Sequence, residues 1–172
     1  MLRTLFNEKD FSDIKTQGIK YAGSKLKIIP YILESVKDLE IKTVLDGFSG
    51  STRVSQAFAQ VGYDVTSNDI AHWSEICAKC FLLHNKDNHY YQNIIDELNS
   101  LKGYDGWFTT NYGGDENMES KMPFQKKNTR KLDAIRDKIE ELNLDDIDKS
   151  VILTSLLFAL DAVDSTLGHF VS

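Results

Sequence analysis

A glycine- and serine-rich stretch at residues 47–51 constrains the fold of this chain more than any other feature of the sequence. It follows a short β-branched and apolar run at 42–46, which predicts a strand. After it, residues 54–61 place apolar side chains on one helical face, and Gly62 suits a C-terminal cap. Residues 63–69 then predict a second strand. The sequence therefore predicts a β-loop-α-β unit, which is typical of α/β folds.

Acidic residues stand at the ends of both predicted strands, Asp46 at the first and Asp69 at the second. Small residues in the loop let a ligand approach the backbone, and a carboxylate at the tip of the second strand can accept both hydroxyls of a ribose. No G-x-G-x-x-G motif is present, and Asp46 would repel a pyrophosphate but suits an amine-bearing ligand. This pattern indicates a nucleoside-binding site. The alternative is a βα turn whose Gly and Ser residues only cap the helix.

The remaining apolar periodicity predicts further helices at about residues 26–39, 73–83, 91–101, 129–142 and 147–165. Pro30 fits only the first turn of the first of these helices. Asn128 is expected to cap the fourth. From residue 103 to 125 the periodicity is lost, so we expect a loop-rich region with an extended segment at 107–112 and a turn at 113–115.

Length and composition limit the class of protein. At 172 residues with 41% hydrophobic content, the chain is expected to fold as one compact unit. The most apolar run, 151–163, is interrupted by polar residues, and the first residues lack the pattern of a signal peptide. We therefore expect a cytoplasmic protein with no membrane partner. The net charge of −6 means that any affinity for DNA must be local.

The two cysteines, Cys77 and Cys80, are spaced as in a helix rather than in a disulfide framework, which suits a reducing compartment. Together with His84 they make a zinc site conceivable, provided that His72 or a distant group supplies a fourth ligand. Helix packing is the commoner explanation for such a pair. We predict no metal site.

Three motifs carry a resemblance to a known family: Tyr21-Ala22-Gly23-Ser24-Lys25, then Asp46-x-Phe48-Ser49-Gly50-Ser51, then Asn68-Asp69. In residue type, order and spacing they resemble the opening of the Dam-like adenine-N6 DNA methyltransferases, over about residues 19–170. The resemblance implies an α/β, Rossmann-like methyltransferase fold, incomplete, with a helical recognition insertion. It divides the chain into the N-terminal part of the methyltransferase domain at 1–102, a recognition region at 103–146 and a core helix at 147–172.

The resemblance also implies S-adenosylmethionine as the cofactor. Asp69 would hold the ribose hydroxyls, Ile70 would pack on the adenine ring, and Lys25 would meet the methionine carboxylate. The alternatives are plain core packing for Ile70 and a solvated lysine at a helix start for Lys25. The implied cofactor-binding residues are Tyr21, Gly23, Lys25, Asp46, Phe48, Ser49, Gly50, Ser51, Asp69 and Ile70.

The chain departs from the family in the motif that performs the chemistry. In Asp- or Asn-Pro-Pro-Tyr, the polar side chain and a backbone carbonyl accept hydrogen bonds from adenine N6, and the aromatic ring stacks on the flipped base. This sequence contains two prolines, Pro30 and Pro123, which are not adjacent. Asn111-Tyr112 matches half of the motif, but a hairpin turn is the better interpretation. We therefore predict no catalytic residue here, and the family's order would put the motif downstream of the last helix.

By resemblance, the function is site-specific methylation of adenine N6 in DNA, by a restriction-modification enzyme or a solitary methylase. This chain would be an N-terminal portion that is inactive alone. The alternatives are a non-catalytic fragment that binds the cofactor or a partner, and one half of a two-chain enzyme. A restriction endonuclease is a further expected partner. Because parallel sheets are normally covered on both faces, we also expect the fragment to self-associate.

Basic residues are concentrated in one stretch, where seven of residues 121–138 are Lys or Arg. Such a cluster on an acidic background is the best candidate for contacting the phosphates of double-stranded DNA. The residues predicted to bind DNA are Lys121, Lys126, Lys127, Arg130 and Lys131. The alternative is a solvated helix face, because Asp133, Asp137 and Glu140 are interleaved with the basic residues.

Overall fold

The computed structural model describes residues 11–19, 23–114 and 122–164. The chain forms two compact units that divide between Leu82 and Leu83, so the expectation of one compact unit is wrong. The division comes earlier than the predicted boundary at residue 102. No helix in the described part of the chain is both long and apolar enough to cross a membrane.

The described residues of the first unit form an α/β arrangement. Its elements are α1 Ile29–Val36, β1 Thr43–Asp46, α2 Arg53–Gln60, β2 Asp64–Ser67 and α3 His72–Ala78. The two strands pair in parallel, with Val44 opposite Val65. Because α2 connects the two strands, the β-loop-α-β unit predicted from the sequence is confirmed.

One hydrophobic cluster stabilises the first unit. Its buried members are Phe11, Ile29, Leu33, Ala57, Phe58 and Val61. They come mainly from one face of α1 and one face of α2, as the apolar spacing predicted. Val44 and Val65 pack against the cluster from the strands, whereas Leu45 on the opposite face of β1 is 68% exposed. The cluster therefore covers only one face of the strand pair.

Two helices of the first unit differ from their predicted lengths. A 3-10 turn at Leu26–Ile28 precedes α1, which has Pro30 in its first turn as expected. The helix ends at Val36, so the predicted extension to Leu39 is wrong. A π-helical turn, Lys79–Leu83, follows α3 where one continuous α-helix was predicted.

The described residues of the second unit are largely helical. Its elements are α4 Asn88–Ser100, α5 Trp107–Tyr112, β3 Gly113–Gly114, β4 Phe124–Gln125, α6 Lys126–Glu141 and α7 Asp146–Val163. Its core contains Tyr91, Leu98, Ile135, Ile139 and Ile152. The predicted apolar face of α6 is confirmed, but the helix already begins at Lys126, so the predicted cap at Asn128 is wrong.

Helix α5 lies where the sequence predicted an extended segment, so that prediction and the hairpin turn at Asn111-Tyr112 are wrong. The reason is the side chain of Asp133 on α6, which is only 3% exposed. Its carboxylate accepts hydrogen bonds from the amides of Gly106, Phe108 and Thr109 at 2.9 to 3.0 Å, and from the Thr109 hydroxyl at 2.7 Å. These amides lie at the start of α5. The first backbone N–H groups of a helix have no hydrogen-bond partners within the helix itself. Asp133 therefore stabilises the helix against the local preference of the segment.

The predicted loop-rich region contains one further ordered feature. Gly113–Gly114 forms β3 and pairs in parallel with β4, so the predicted turn at these glycines is wrong. A Cβ atom on Gly113 would lie 2.5 Å from the Thr129 hydroxyl, which shows how closely β3 packs on α6. Asp115, also assigned to that turn, lies outside the described residues.

Candidate functional site

The parallel pairing of β1 and β2 brings the two predicted acids to the same edge of the sheet. Asp46 is the last residue of β1, and Asp69 comes shortly after the end of β2. The Asn68 amide donates to the Asp46 carbonyl at 2.9 Å, which extends the pairing beyond the last strand residue. Ligands of open α/β sheets bind outside the carboxyl ends of the strands. Asp46 and Asp69 thus lie together at the edge of the strand pair where such ligands bind.

Hydrogen bonds fix the loop between β1 and α2 to the end of β2. The Ser49 amide donates to the Asn68 carbonyl at 3.0 Å, and the Asn68 side-chain amide donates to the Gly47 carbonyl at 3.0 Å. Gly50 and Thr52 have φ values of 49° and 60°. Glycine adopts this left-handed conformation without steric cost, so the sharp turn of the loop depends on Gly50.

Asp69 connects the loop to the segment that follows β2. Its carboxylate accepts hydrogen bonds from the Ala71 amide at 3.0 Å and the Gly50 amide at 2.8 Å. These two bonds, with the positive charge of Lys25, lower the pKa of Asp69. The carboxylate is therefore ionised at neutral pH. A carboxylate has about four acceptor positions, so it can still accept hydrogen bonds from ligand hydroxyls.

Asp46 is oriented by a network of hydroxyl groups. Its Oδ2 atom accepts a hydrogen bond from the Ser55 hydroxyl at 2.7 Å, and that hydroxyl lies 3.2 Å from the Ser67 hydroxyl. Ser55 is completely buried on α2. The network fixes the side chain of Asp46 through its Oδ2 atom. The sequence did not predict the role of Ser55.

Two apolar residues beside these acids are exposed to solvent. Phe48 is 85% exposed, and Ile70 is completely exposed. The alternative that Ile70 packs in the core is therefore wrong. A large apolar side chain next to polar ligand-binding groups is available to pack on a heteroaromatic ring.

A small cavity lies beside the loop. It is lined by Gly23, Ser24, Lys25, Ser49, Gly50, Ser51, Arg53 and Val54. The structure therefore brings Gly23, Ser24 and Lys25 of the first sequence motif against the glycine-rich loop, although α1 and β1 separate them from the loop in the chain. Tyr21 lies outside the described residues. Arg53 was missed by the sequence prediction, because its contacts are with a segment distant in sequence.

Two of the basic residues predicted to bind DNA are used within the second unit. Arg130 on α6 forms an ion pair with Asp105 through two hydrogen bonds. The Lys131 ammonium donates to the carbonyl of Asn99 at 2.7 Å and to that of Leu101, at the C-terminal end of α4. Lys131 therefore stabilises a helix end, a role that does not require DNA.

The other predicted DNA contacts are at the start of α6. Lys127 is exposed and Lys126 is half-buried, whereas Lys121 lies outside the described residues. The adjoining helix α5 carries Trp107 and Tyr112, which are 57% and 39% exposed and have ring centroids 5.6 Å apart. An exposed lysine, Lys127, and two exposed aromatic rings therefore lie on neighbouring elements of this unit.

Cys77 and Cys80 are both buried and are not joined in a disulfide. Their burial agrees with helix packing, since a free cysteine behaves as a small hydrophobic residue. Across the described ranges, no group of three or more His, Cys, Asp or Glu side chains is arranged to hold a metal ion.

Comparisons with known proteins match the chain to one family model and to a related methyltransferase. The model for the D12 class of N6 adenine-specific DNA methyltransferases matches residues 21–170. The chain is also similar to the type II methyltransferase M2.HphI of Haemophilus parahaemolyticus, with 31% identity over 129 residues. This match covers 75% of the chain but 36% of the relative, so the chain spans little more than a third of that protein's length. No solved structure matches the chain.

Proposed function

This chain belongs to the D12 class of N6 adenine-specific DNA methyltransferases, and from that premise we propose that its first unit binds S-adenosylmethionine at the carboxyl edge of β1 and β2. The hydrogen bond of 2.8 Å from the Gly50 amide to the Asp69 carboxylate carries the proposal. It keeps an ionised acid at the tip of the second strand, beside a loop of small residues. This arrangement suits the two hydroxyls of a ribose.

The residues around Asp69 provide groups for the rest of the cofactor. In the proposed complex, Ile70 packs on the adenine ring, and Lys25 meets the methionine carboxylate. Asp46 accepts a hydrogen bond from the methionine amine. The loop residues Phe48 to Ser51 surround the methionine moiety, with Gly23 nearby. Two observations support this placement. Phe48 and Ile70 are exposed, and a cavity lies between the loop and Lys25.

We also infer that β1 and β2 are part of a larger, Rossmann-like sheet. Their parallel pairing supports this, as does the exposure of Leu45 on the face that the hydrophobic cluster does not cover. Parallel sheets in α/β proteins are normally covered on both faces. The same exposed face supports two further proposals, namely self-association of the 172-residue chain and completion of the sheet by a second chain.

The whole protein is proposed to transfer the methyl group of S-adenosylmethionine to adenine N6 in double-stranded DNA. The similarity to a type II methyltransferase supports a restriction-modification role. We further propose a cytoplasmic location and a restriction endonuclease as partner. The 172 residues contain no Asp- or Asn-Pro-Pro-Tyr motif. We propose that they bind the cofactor without transferring its methyl group.

Cofactor titration and a transfer assay test this proposal together. The chain is expected to bind S-adenosylmethionine weakly and to transfer no tritium from the labelled cofactor to an adenine-containing duplex. Amide chemical shifts of Gly50 and Ala71 measure binding, because both amides are bonded to Asp69. Scintillation counting of the DNA measures transfer. Transfer above the buffer rate would contradict the argument from the missing motif, and unchanged shifts would contradict the proposed site.

For DNA, we propose the start of α6 as the contact surface and Lys127 as one of its phosphate ligands. Replacing Lys127 with alanine is expected to weaken binding to duplexes of any sequence. The slope of log Kd against log salt concentration should fall by about 0.9, because one phosphate contact releases about that many counterions. Fluorescence anisotropy with a labelled duplex at several salt concentrations measures both effects.

Lys131→Ala is the matched control for this substitution. It removes a lysine from the same helix, but the ammonium of Lys131 is bonded to carbonyls at the end of α4. The salt slope should therefore keep its original value in this variant. If Lys127→Ala also leaves the slope unchanged, Lys127 does not contact a DNA phosphate.

A further inference from the structure

Three polar side chains on α2 contact one short segment near the start of the chain. Arg53, Gln56 and Gln60 lie on the same face of the helix, and their partners are the backbone groups of residues 15–18. This segment has no regular secondary structure of its own. Its position in the first unit therefore depends on hydrogen bonds from side chains.

These side chains satisfy four consecutive carbonyl groups. The Gln60 amide donates to the Lys15 carbonyl at 2.9 Å, and the Gln56 amide donates to the Gln17 carbonyl at 2.9 Å. The Arg53 guanidinium donates to the carbonyls of Thr16 and Gly18 at 2.5 and 2.7 Å. In return, the Gln17 amide donates to the Gln56 side chain at 2.9 Å. Unpaired carbonyls would be costly here, since Thr16 and Gln56 are both buried.

The same contacts connect the segment to the glycine-rich loop. A Cβ atom on Gly18 would lie 2.9 Å from Arg53 Nε and 3.2 Å from Ser51 Cβ, so the backbone packs directly on both residues. The Gln56 amide also donates to the hydroxyl of Thr52, which adopts a left-handed conformation at the end of the loop. Arg53 itself lines the cavity between the loop and residues 23–25.

We propose that Arg53 and Gln56 are positioning residues for the cofactor site, because they fix the segment at 15–18 and thereby hold Gly23, Ser24 and Lys25 against the loop. This inference rests on the proposed function of the loop as an S-adenosylmethionine site. Neither side chain needs to touch the cofactor. Their effect is to remove conformational freedom from residues 15–18, which precede Gly23, Ser24 and Lys25 in the chain, so that this ordering does not have to occur on binding.

The test compares cofactor affinity and amide exchange in variants of the 172-residue chain. Arg53→Lys keeps the charge but cannot donate to two carbonyls through a planar fork, and Arg53→Met removes the donors altogether. We expect the Kd for S-adenosylmethionine to rise about fivefold in the first and more than about tenfold in the second, as one and then two hydrogen bonds are lost. Exchange should accelerate at the amide of Ile28, which donates to the Lys25 carbonyl.

Gln56→Met and Gln92→Met form a matched pair in the same experiment. Both remove one side-chain amide, but Gln92 is exposed and its amide donates to Asp96 on its own helix. Gln56→Met is expected to weaken cofactor binding and to accelerate exchange at the Gln17 amide, whereas Gln92→Met should do neither. Circular dichroism identifies temperatures at which all variants are folded, so that a general loss of stability is separated from a loss of positioning.

Asp69→Ala, measured in parallel, separates this inference from the proposed function. If Asp69→Ala weakens binding but the Arg53 variants bind as tightly as the original chain, the positioning role is wrong and the cofactor site stands. If neither change affects binding, the cofactor site is wrong. In that case the exchange rate at Ile28 still decides whether Arg53 orders the segment around Lys25, and an unchanged rate in Arg53→Met overturns the inference.

Discussion

Replacing Asp133 with asparagine is expected to lower the free energy of unfolding of the second unit by about 3 kcal/mol. Asp133 is 3% exposed, and its carboxylate accepts hydrogen bonds from three amides and one hydroxyl at the start of α5. Asparagine has nearly the same volume, but its NH2 group cannot accept a hydrogen bond. At least one buried donor therefore loses its partner, and the negative charge facing the helix N-terminus is removed. Urea denaturation followed by circular dichroism measures the change.

Asp137→Asn provides the control for this substitution. Asp137 lies one turn further along α6, is exposed, and accepts a hydrogen bond from the Tyr104 hydroxyl. Substitutions at exposed positions of this kind change the free energy of unfolding by about 0.5 kcal/mol or less. Equal losses in the two variants would show that the buried carboxylate does not stabilise α5.

The acid sensitivity of the second unit is expected to depend on the same carboxylate. Burial opposes ionisation of Asp133, but the hydrogen bonds from Thr109, Phe108 and Gly106 outweigh it and lower its pKa. A carboxylate with a lowered pKa stabilises the fold fully above its unfolded pKa of about 3.9, and this contribution is lost as the pH falls through the folded value. The difference in free energy of unfolding between the original chain and Asp133→Asn should therefore be largest at neutral pH and decrease below about pH 4.

The contacts of Asp133 also explain why α5 could not be predicted from the sequence. Sequence signals for a helix start lie within a few residues of it. Asp133, in contrast, lies 24 to 27 positions after the residues whose amides donate to it. The segment itself contains Trp107, Phe108 and Tyr112 with two threonines, a composition that favours strands. A tertiary contact therefore overrides the local preference.

The unit formed by β1, α2 and β2 was predictable because its signals are local. The two strands, the helix and the loop follow one another directly in sequence, and a parallel pair with a crossover helix brings the two strand ends together. Asp46 and Asp69 could therefore be assigned to one edge in advance. The roles of Ser55 and Arg53 could not, because each depends on a partner that only the folded chain brings close.

Replacing Asp69 with alanine is expected to raise the Kd for S-adenosylmethionine about tenfold to a hundredfold, which corresponds to about 1.5 to 3 kcal/mol. The substitution removes an ionised acceptor for two ribose hydroxyls. The bonds from Ala71 and Gly50 lower the pKa of Asp69, so this carboxylate stays ionised between about pH 6 and pH 8. Titration of Asp69 should therefore cause no change in the cofactor affinity of the original chain over that range. Titration of the amide chemical shifts at each pH measures both expectations.

The loss of affinity must be distinguished from a loosened loop, because Asp69 also fixes the amides of Gly50 and Ala71. Asn68→Ala removes the neighbouring bond to the Gly47 carbonyl and leaves the carboxylate in place. If the carboxylate binds the ribose, Asn68→Ala should weaken the cofactor much less than Asp69→Ala does. Asp69→Asn, which keeps an acceptor for one amide but loses the charge, should fall between them. Equal affinities for Asn68→Ala and Asp69→Ala would mean that the loop, and not the ribose contact, determines binding at this edge of the sheet.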